Sequence, residues 1–322
     1  MSGAERVLVA DIGGTHARLA TAVFAAPGQV VLERIEIRRS TDYPTLDAVI
    51  EDYGGSACRL PAGASLAVAG PIRGGTAHVT NVGWDVDAAA LARGLGFARV
   101  VLMNDFAALA YAVPSLGRDE LISVKPGARK MTEPISVMGA GTGFGVAMLV
   151  PCGMDYGLVA TEGGHASFAP VDEDEVLVWR HLRAKNPHVS IENILSGTGL
   201  ANLHEALHAL RGVSRRGRPE EISRRALAEP NSTSARALEL FCNIFGSVAG
   251  NIALTQGATG GVFLGGGVLI KNLPSLRKSR FVERFSAKGV MTPLLAGIPV
   301  DAVSYEYTAL RGAALWYARS EK

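Results

Sequence analysis

The chain has 322 residues, of which 48% are hydrophobic and 19% charged, a composition typical of a globular protein rather than a disordered one. The formal net charge of +2 is too small to indicate nucleic-acid or membrane binding, and no segment is expected to approach a membrane span. Three widely spaced cysteines, Cys58, Cys152 and Cys242, favour a reducing cytoplasm over a disulfide framework or a zinc site.

The first third of the chain alternates predicted strands and helices, which indicates an α/β fold with a mixed sheet. Strands are predicted at residues 6–10, 19–24, 30–37, 65–69 and 100–103, and helices at 45–53, 87–95 and 106–112. The stretch 77–84, which contains Thr80 and Asn81, is predicted to be a loop.

A glycine-rich turn joins the first two predicted strands, so this region is predicted to be a hairpin. The turn and its approach are Ala10, Asp11, Ile12, Gly13, Gly14 and Thr15. Backbone N–H groups and a threonine hydroxyl at such a tip are suited to holding phosphate oxygens. An ordinary hairpin turn with Asp11 as a local acceptor is the alternative.

Two adjacent polar residues, Asn104 and Asp105, follow the apolar run 100–103 and precede a predicted helix. Open α/β sheets bind their ligands at the carboxyl ends of their strands. Asp105 can therefore accept a proton from a substrate hydroxyl, and Asn104 can orient that hydroxyl. A helix cap is the alternative, because Asn and Asp are favoured at helix starts.

The second part of the chain repeats the opening pattern. Residues 117–133 are polar and predict an irregular connection, after which 135–150 read as strand, glycine turn and strand. The turn contains Gly139, Gly141, Thr142 and Gly143. Set beside the first hairpin, it predicts an internal duplication in which two loops close on one polyphosphate from opposite sides.

Further helices are predicted at 176–183, 200–210, 235–258 and 308–319, a loop at 211–221, and strands at 261–268 and 298–304. Compact loops carry Glu162, His165 and Glu192, each of which is either functional or an ordinary surface residue. The chain has no P-loop sequence, and Phe144 together with the β-like run after it argues against a dinucleotide fingerprint.

The segment His204-Glu205-Ala-Leu-His208 matches the H-E-x-x-H zinc pattern, because a helix places both imidazoles on one face. No third ligand follows at a metzincin spacing. Leucines at 200, 203, 207 and 210 predict the buried face of this helix and leave the histidines near its surface. A zinc peptidase is therefore the second hypothesis, and no metal site is assigned.

Taken together, these motifs resemble bacterial glucokinase of the proteobacterial type, in the hexokinase and actin-like ATPase clan. The matching segments run in family order across nearly the whole chain: Asp11-Ile-Gly-Gly-Thr-His-Ala-Arg-Leu-Ala20, Met103-Asn-Asp-Phe106, Gly139-Ala-Gly-Thr-Gly-Phe-Gly-Val-Ala147, Glu162-Gly-Gly-His165 with Phe168-Ala-Pro170, Leu195-Ser-Gly197 and Gly265-Gly-Gly267.

The resemblance implies a two-domain actin-like (ribonuclease H-like) α/β fold with a cleft between a smaller domain, 1–113 completed by 306–322, and a larger one, 114–305. It implies ATP-dependent phosphorylation of the glucose 6-hydroxyl in the cytoplasm, with Mg²⁺, by an enzyme that is a homodimer. Another hexose kinase, acting on fructose or mannose, is the alternative within this class.

The resemblance also implies residue roles. Asp105 matches the general base and Asn104 its sugar-binding neighbour, while Glu162, His165 and Glu192 match positions that bind sugar hydroxyls. Residues 10–15 and 139–143 match the phosphate-binding loops, and Gly265, Gly266 and Gly267 match the region near the adenosine. Two departures are His16, where many members have Asn, and the segment 305–312, where a Pro-Gly-Leu-Leu-Gly pattern is usual.

Overall fold

The computed structural model describes residues 5–26, 28–55, 60–79, 81–153 and 155–320. Cys58 and Thr80, both considered above, lie outside the described residues. The backbone divides into two compact units: unit 1 comprises Met1–Gly117 and Tyr305–Lys322, and unit 2 comprises Arg118–Ser304.

Unit 1 is built around a five-stranded mixed sheet with the strand order β3-β2-β1-β4-β7. Its elements are β1 Arg6–Ile12, β2 His16–Ala26, β3 Gln29–Arg39, α1 Leu46–Gly55, β4 Gly63–Val68, β5 Thr76–Val79, β6 Trp84–Asp87, α2 Ala88–Leu95, β7 Arg99–Asn104, α3 Asp105–Ala112 and α12 Thr308–Arg319. Strand β1 pairs antiparallel with β2 and parallel with β4, which is parallel to β7. Every residue of β4 is buried, as expected for a strand covered on both faces.

Helix α12 returns the end of the chain to unit 1 and packs against α3. A Cβ atom at Gly312 would lie 1.8 Å from the carbonyl oxygen of Ala108, so glycine is required where the two backbones meet. The divergent segment 305–312 is ordered by local contacts, in which Tyr305 packs edge-on against Tyr307 and accepts a hydrogen bond from Thr308 Oγ1. The departure from the family pattern therefore leaves the closing helix intact.

Unit 2 is built around a six-stranded sheet with the order β11-β10-β9-β12-β13-β8. Its elements are β8 Leu121–Lys125, β9 Ile135–Ala140, β10 Phe144–Cys152, β11 Asp155–Thr161, α4 Glu173–Arg183, α5 Gly197–Ala209, α6 Pro219–Ala228, α7 Thr233–Gln256, β12 Gly261–Gly265, α8 Gly267–Lys271, α9 Leu273–Lys278, α10 Phe281–Ser286, α11 Thr292–Gly297 and β13 Val300–Val303. The first five strands in this order, from β11 to β13, match the five strands of the unit 1 sheet in both sequence order and direction. The predicted duplication is thus confirmed at the level of strand topology.

The long helix α7 forms the centre of the unit 2 core. It is long and apolar enough to cross a membrane, and 78% of its most apolar window is buried inside the protein. The expectation that no segment approaches a membrane span was therefore wrong, because α7 has the length and the composition of such a span. The burial identifies the apolar character of α7 as that of a core helix, in which Phe241 and Phe245 are fully buried.

Three sequence predictions are corrected by the structure. The predicted loop 77–84 includes the end of β5 and the start of β6, a short antiparallel hairpin. The predicted connection 117–133 contains the strand β8, which pairs with β13 at the edge of the sheet. The predicted loop 211–221 ends inside α6, which begins at Pro219 because proline is favoured at the first helical position.

Candidate active site

The first candidate group lies where the unit 1 strands end. In the register of the sheet, Ile12 of β1 pairs with Val68 of β4, and Val68 pairs with Asn104 of β7. Asp11, Asn104 and Asp105 therefore lie at the same carboxyl edge of one sheet, which is where α/β folds place their ligands.

Asn104 is the N-cap of α3. Its Oδ1 accepts hydrogen bonds from the N–H groups of Phe106 at 2.9 Å and Ala107 at 3.1 Å, and its Nδ2 donates to the Gly70 carbonyl at 3.1 Å. The helix-cap alternative is thus confirmed for Asn104. These bonds fix the start of α3 and hence the backbone of Asp105.

Asp105 is the first residue of α3, and its Oδ1 accepts from the Phe106 N–H at 2.7 Å. Burial, reinforced by the nearby Asp11 carboxylate, raises its pKa from 3.8 to about 7, against the opposing effect of the backbone hydrogen bonds. Burial also raises the pKa of Asp11, while Arg18 lowers it, with Arg18 Nη1 lying 3.4 Å from Asp11 Oδ2. Burial, with a second carboxylate nearby, thus makes Asp105 a candidate proton acceptor whose pKa lies near neutrality.

The first glycine turn is held tightly by its neighbours. Gly13 N–H donates to the His16 carbonyl at 3.0 Å, and Ser40 Oγ donates to the Gly13 carbonyl at 2.8 Å. A Cβ atom at Gly14 would lie 2.3 Å from Cβ of Asn81, so a side chain at position 14 cannot be accommodated without movement. Thr15 contributes its carbonyl to this turn, as an acceptor for the Ser40 N–H at 3.0 Å.

The second glycine turn belongs to unit 2 and joins β9 to β10. It is closed by a hydrogen bond from Gly141 N–H to the Gly143 carbonyl at 2.9 Å, and Thr142 at its tip is exposed. The Gly197 N–H, at the start of α5, donates to the Gly141 carbonyl at 2.9 Å. This loop is therefore anchored from the helix that follows Glu192.

The third glycine segment packs directly on the second. A Cβ atom at Gly139 would lie 2.1 Å from the Gly265 carbonyl oxygen, and one at Gly266 would lie 2.3 Å from the Ala140 carbonyl oxygen. Gly266 also has a φ of 90°, which side chains rarely adopt, and Gly267 begins α8. The chain thus brings residues 139–143 and 265–267 together as one glycine-lined surface.

The three predicted sugar-binding residues of unit 2 lie on segments joined by backbone hydrogen bonds. Glu192 N–H donates to the Gly164 carbonyl at 2.9 Å, inside the short 3₁₀ turn Gly163–His165. Glu162 Oε2 and His165 Nε2 are 4.0 Å apart, with side chains 76% and 62% exposed. Glu192 Oε2 accepts from the Phe144 N–H at 2.8 Å, so Glu192 is also attached to the second glycine turn.

The expectation that the histidines of the H-E-x-x-H segment lie near the surface was wrong for His204. Its side chain is 3% exposed, its Nδ1 has no hydrogen-bond partner among the described residues, and burial lowers its pKa to about 4. Leu210, predicted to be buried, is 48% exposed. Within the described part of the chain, no three His, Cys, Asp or Glu side chains form a group that could hold a metal, so the zinc-peptidase alternative is not supported.

Arg18 is the candidate residue that the sequence reasoning did not single out. It lies directly opposite Asp11 in the β1–β2 hairpin, and its guanidinium also approaches Glu306 at 4.0 Å. A hairpin alignment of the two strands would have predicted this pairing, because cross-strand neighbours of opposite charge attract.

The repeated strand order, the two glycine hairpins and the edge carboxylate define the class: this is the actin-like ATPase fold, as predicted. A glucokinase of Streptomyces griseus in complex with glucose and AMPPNP shares it, with a TM-score of 0.62, 18% identity and coverage of 96% of this chain and 98% of that chain. At that identity the similarity concerns the fold alone.

Closer relatives define the family. The glucokinase family model matches residues 8–320. The glucokinase of Chromobacterium violaceum is 43% identical over 309 residues, covering 95% of this chain and 88% of the relative. The crystal structure of a glucokinase from an Antarctic psychrotroph has a TM-score of 0.87 and 38% identity, covering 98% and 99% of the two chains. The chain belongs to the glucokinase family, and its reaction is the ATP-dependent phosphorylation of glucose.

Proposed function

We propose that Asp105 is the general base, which removes the proton from the 6-hydroxyl of glucose as that oxygen attacks the γ-phosphorus of ATP. The bond from γ-phosphorus to the bridging oxygen breaks, ADP leaves, and the proton stays on the Asp105 carboxylate. The observation that carries this proposal is the buried position of the Asp105 carboxylate at the carboxyl edge of the unit 1 sheet, near Asp11, which raises its pKa to about 7. A base is most effective when its pKa lies near the working pH.

For sugar binding, we propose Asn104 in unit 1 and Glu162, His165 and Glu192 in unit 2. Carboxylates accept hydrogen bonds from hydroxyl groups, and an amide and an imidazole can both donate and accept. The exposure of Glu162 and His165 leaves their polar atoms available to a ligand. The backbone bonds between the two segments keep Glu192 in register with the turn that carries His165.

For ATP, we propose that residues 10–15 and 139–143 hold phosphate oxygens and that residues 265–267 lie beside the adenosine. Glycine at these positions lets backbone approach a ligand closely. Mg²⁺ would enter with the nucleotide, since it binds proteins through one or two carboxylates together with substrate phosphates. Asp11 fits that donor set, and the ion would supply neutralisation of the phosphate charge.

The test is a coupled kinase assay on Asp105→Asn and Asp105→Ala, with Asp119→Asn as the control at an exposed carboxylate of unit 2. Loss of one general base should lower kcat by roughly 10²–10⁴-fold. The control should keep wild-type kcat. Wild-type turnover by Asp105→Ala in a folded protein would contradict the assignment.

The position of transfer and the sugar preference are tested with substrate analogues. Glucose should be phosphorylated and 6-deoxyglucose should not, because the latter lacks the proposed nucleophile. We propose the highest kcat/KM for glucose among glucose, mannose and fructose. A higher value for fructose would instead support the alternative hexose kinase.

The remaining proposals concern the oligomeric state, the cellular compartment and the domain boundaries. We propose a homodimer that works in the cytoplasm, with domain boundaries at residues 113/114 and 305/306, as the resemblance implies. The unpaired thiols of Cys152 and Cys242 are consistent with a reducing compartment. Sedimentation analysis of the full chain should give twice the mass of one protomer, and a monomer at micromolar concentration would refute the dimer.

A further inference from the structure

A cavity of about 530 Å³ opens in unit 2 behind the turn that carries His165. Its wall combines apolar rings with basic groups: Phe168, Trp179, Arg180, Arg183, Pro187 and His188. The volume lies in the range of small-molecule sites, which typically enclose about 300–1,000 Å³. None of the residues assigned above to glucose or ATP lines it.

The charges of the wall favour an anion. Arg180 and Arg183 are three residues apart on α4 and therefore share one face of that helix. Both arginines are exposed at the cavity, and Arg183 Nη1 donates to the Asn186 carbonyl at 3.3 Å. No Asp or Glu lines the cavity. Two guanidinium groups without a carboxylate are suited to a phosphate, which they can bind in a bidentate manner.

The rest of the wall favours a carbon body attached to that anion. Trp179 is partly exposed at the cavity, next to Phe168 and the two prolines at 170 and 187. Ring faces of this kind pack against the C–H faces of a small organic molecule, while the edge of the cavity stays polar. Free inorganic phosphate would leave this part of the wall unused.

The cavity is connected to the proposed sugar-binding residues through the backbone. His188 Nε2 lies 3.0 Å from the His165 carbonyl oxygen, and Phe168 N–H donates to the Val189 carbonyl at 2.9 Å. Its two wall segments, 167–170 and 187–189, continue directly into His165 and Glu192. A ligand that moves either segment would therefore move both residues.

We propose that this cavity is an effector site for a phosphorylated sugar, a phosphomonoester that binds Arg180 and Arg183 and rests its ring on Trp179. Occupation changes the affinity for glucose through His165 and Glu192. The coupling to glucose rests on the function proposed above for those residues, whereas binding in the cavity does not.

Binding is tested on the full chain with the active site filled by glucose and AMPPNP, so that product cannot enter it. The probe is glucose 6-phosphate, and calorimetry measures its affinity. Arg180→Ala/Arg183→Ala should weaken binding by roughly tenfold or more, as expected for losing charge-assisted hydrogen bonds. The control Arg224→Ala/Arg277→Ala, at exposed arginines outside the cavity, should bind as the wild type does.

Three further measurements decide the proposal. Inorganic phosphate should bind at least about tenfold more weakly than glucose 6-phosphate, which corresponds to about 1.4 kcal/mol for the sugar body. Trp179→Phe should also weaken the sugar phosphate more than inorganic phosphate. In initial-rate assays, 2-deoxyglucose 6-phosphate should change KM for glucose in the wild type and the arginine control, and much less in Arg180→Ala/Arg183→Ala.

Absence of binding to the filled enzyme, equal affinity in the double variant, or equal affinity for inorganic phosphate would each overturn the proposal. A change of oligomeric state in Arg180→Ala/Arg183→Ala would identify the cavity as an interface between copies and would also overturn it. Failure of Asp105→Ala to lose activity would bear on the proposed base alone, because these binding measurements do not depend on turnover.

Discussion

The carboxyl group of Asp105 should destabilise unit 1 at alkaline pH, and its removal should reverse this effect. Its pKa is about 7 in the folded protein against an ordinary value of 3.8. At 1.36 kcal/mol per pKa unit, this difference corresponds to about 4 kcal/mol. Because the folded chain keeps a proton that the unfolded chain has released, the free energy of unfolding falls as pH rises from about 4 to 7.

Asp105→Asn removes the titrating group and keeps an oxygen that can accept the Phe106 N–H. About 3 kcal/mol of the effect develops between pH 5 and pH 8, so the variant should gain up to that much stability relative to the wild type over this interval. The pKa of Asp105 also predicts the direction in which catalysis depends on pH, because Asp105 must be ionised to act as the base. The kcat/KM for glucose should therefore decline below about pH 7.

The assay is urea unfolding at pH 5 and pH 8, followed by tryptophan fluorescence in a Trp179→Phe background. The remaining indoles, Trp84 and Trp316, both lie in unit 1, and Trp316 packs edge-on against Tyr111 of α3 at 5.2 Å. The signal thus reports the helix that carries Asp105. A stability difference that is the same at both pH values, or that grows at pH 5, would refute the reasoning.

Three other perturbations have defined outcomes. Gly312→Ala should destabilise unit 1 by about 1–3 kcal/mol, since its Cβ would overlap a backbone oxygen, whereas Gly55→Ala, which meets open space, should stay within about 0.5 kcal/mol in the same urea unfolding assay. Glu192→Ala should raise KM for glucose more than Glu192→Gln, which still accepts the Phe144 N–H; an unchanged KM in Glu192→Ala would count against the proposed sugar contact. In the wild type, unit 2 should lose stability as pH falls from 6.5 to about 4, because the neutral buried imidazole of His204 takes up a proton on unfolding. His204→Leu should reduce this loss. The same pH dependence of the free energy of unfolding in both proteins would contradict the prediction.

The glycine turns and the strands that flank them could be predicted from sequence because their signals are local. Apolar runs such as 135–140 end at glycines, and the repeat at a spacing of 128 positions makes the two hairpins visible together. The hairpin β5–β6 was missed although Ala77, Val79, Trp84 and Val86 alternate inward, since four-residue strands give too few positions for a period to be recognised. Strand β8 was missed because it is only five residues long, Leu121–Lys125, and lies inside a stretch that is otherwise polar.

His204 illustrates what local periodicity cannot provide. The leucines of α5 predict one buried stripe, yet α5 is packed by α4, α6 and α7, so its buried arc is wider than the stripe. The pKa of Asp105 was equally out of reach, because Asp11 lies 94 positions earlier and becomes its neighbour only through the pairing of β1, β4 and β7. Both failures have one cause, which is that burial and charge proximity are set by tertiary contacts.

The duplicated strand frame also explains why the penultimate residue of the first strand is acidic in unit 1 and glycine in unit 2. Asp11 and Gly139 are both the penultimate residues of their first strands, and each pairs in parallel with the neighbouring strand, at Ala67 and Gly265 respectively. In unit 2 a Cβ at position 139 would lie 2.1 Å from the Gly265 carbonyl oxygen, so no side chain fits there. Unit 1 keeps space for an acidic side chain at the same topological position. One topology can therefore supply a charged edge in unit 1 and a bare backbone surface in unit 2, and the difference depends on how closely two parallel strands approach at a single pair of residues.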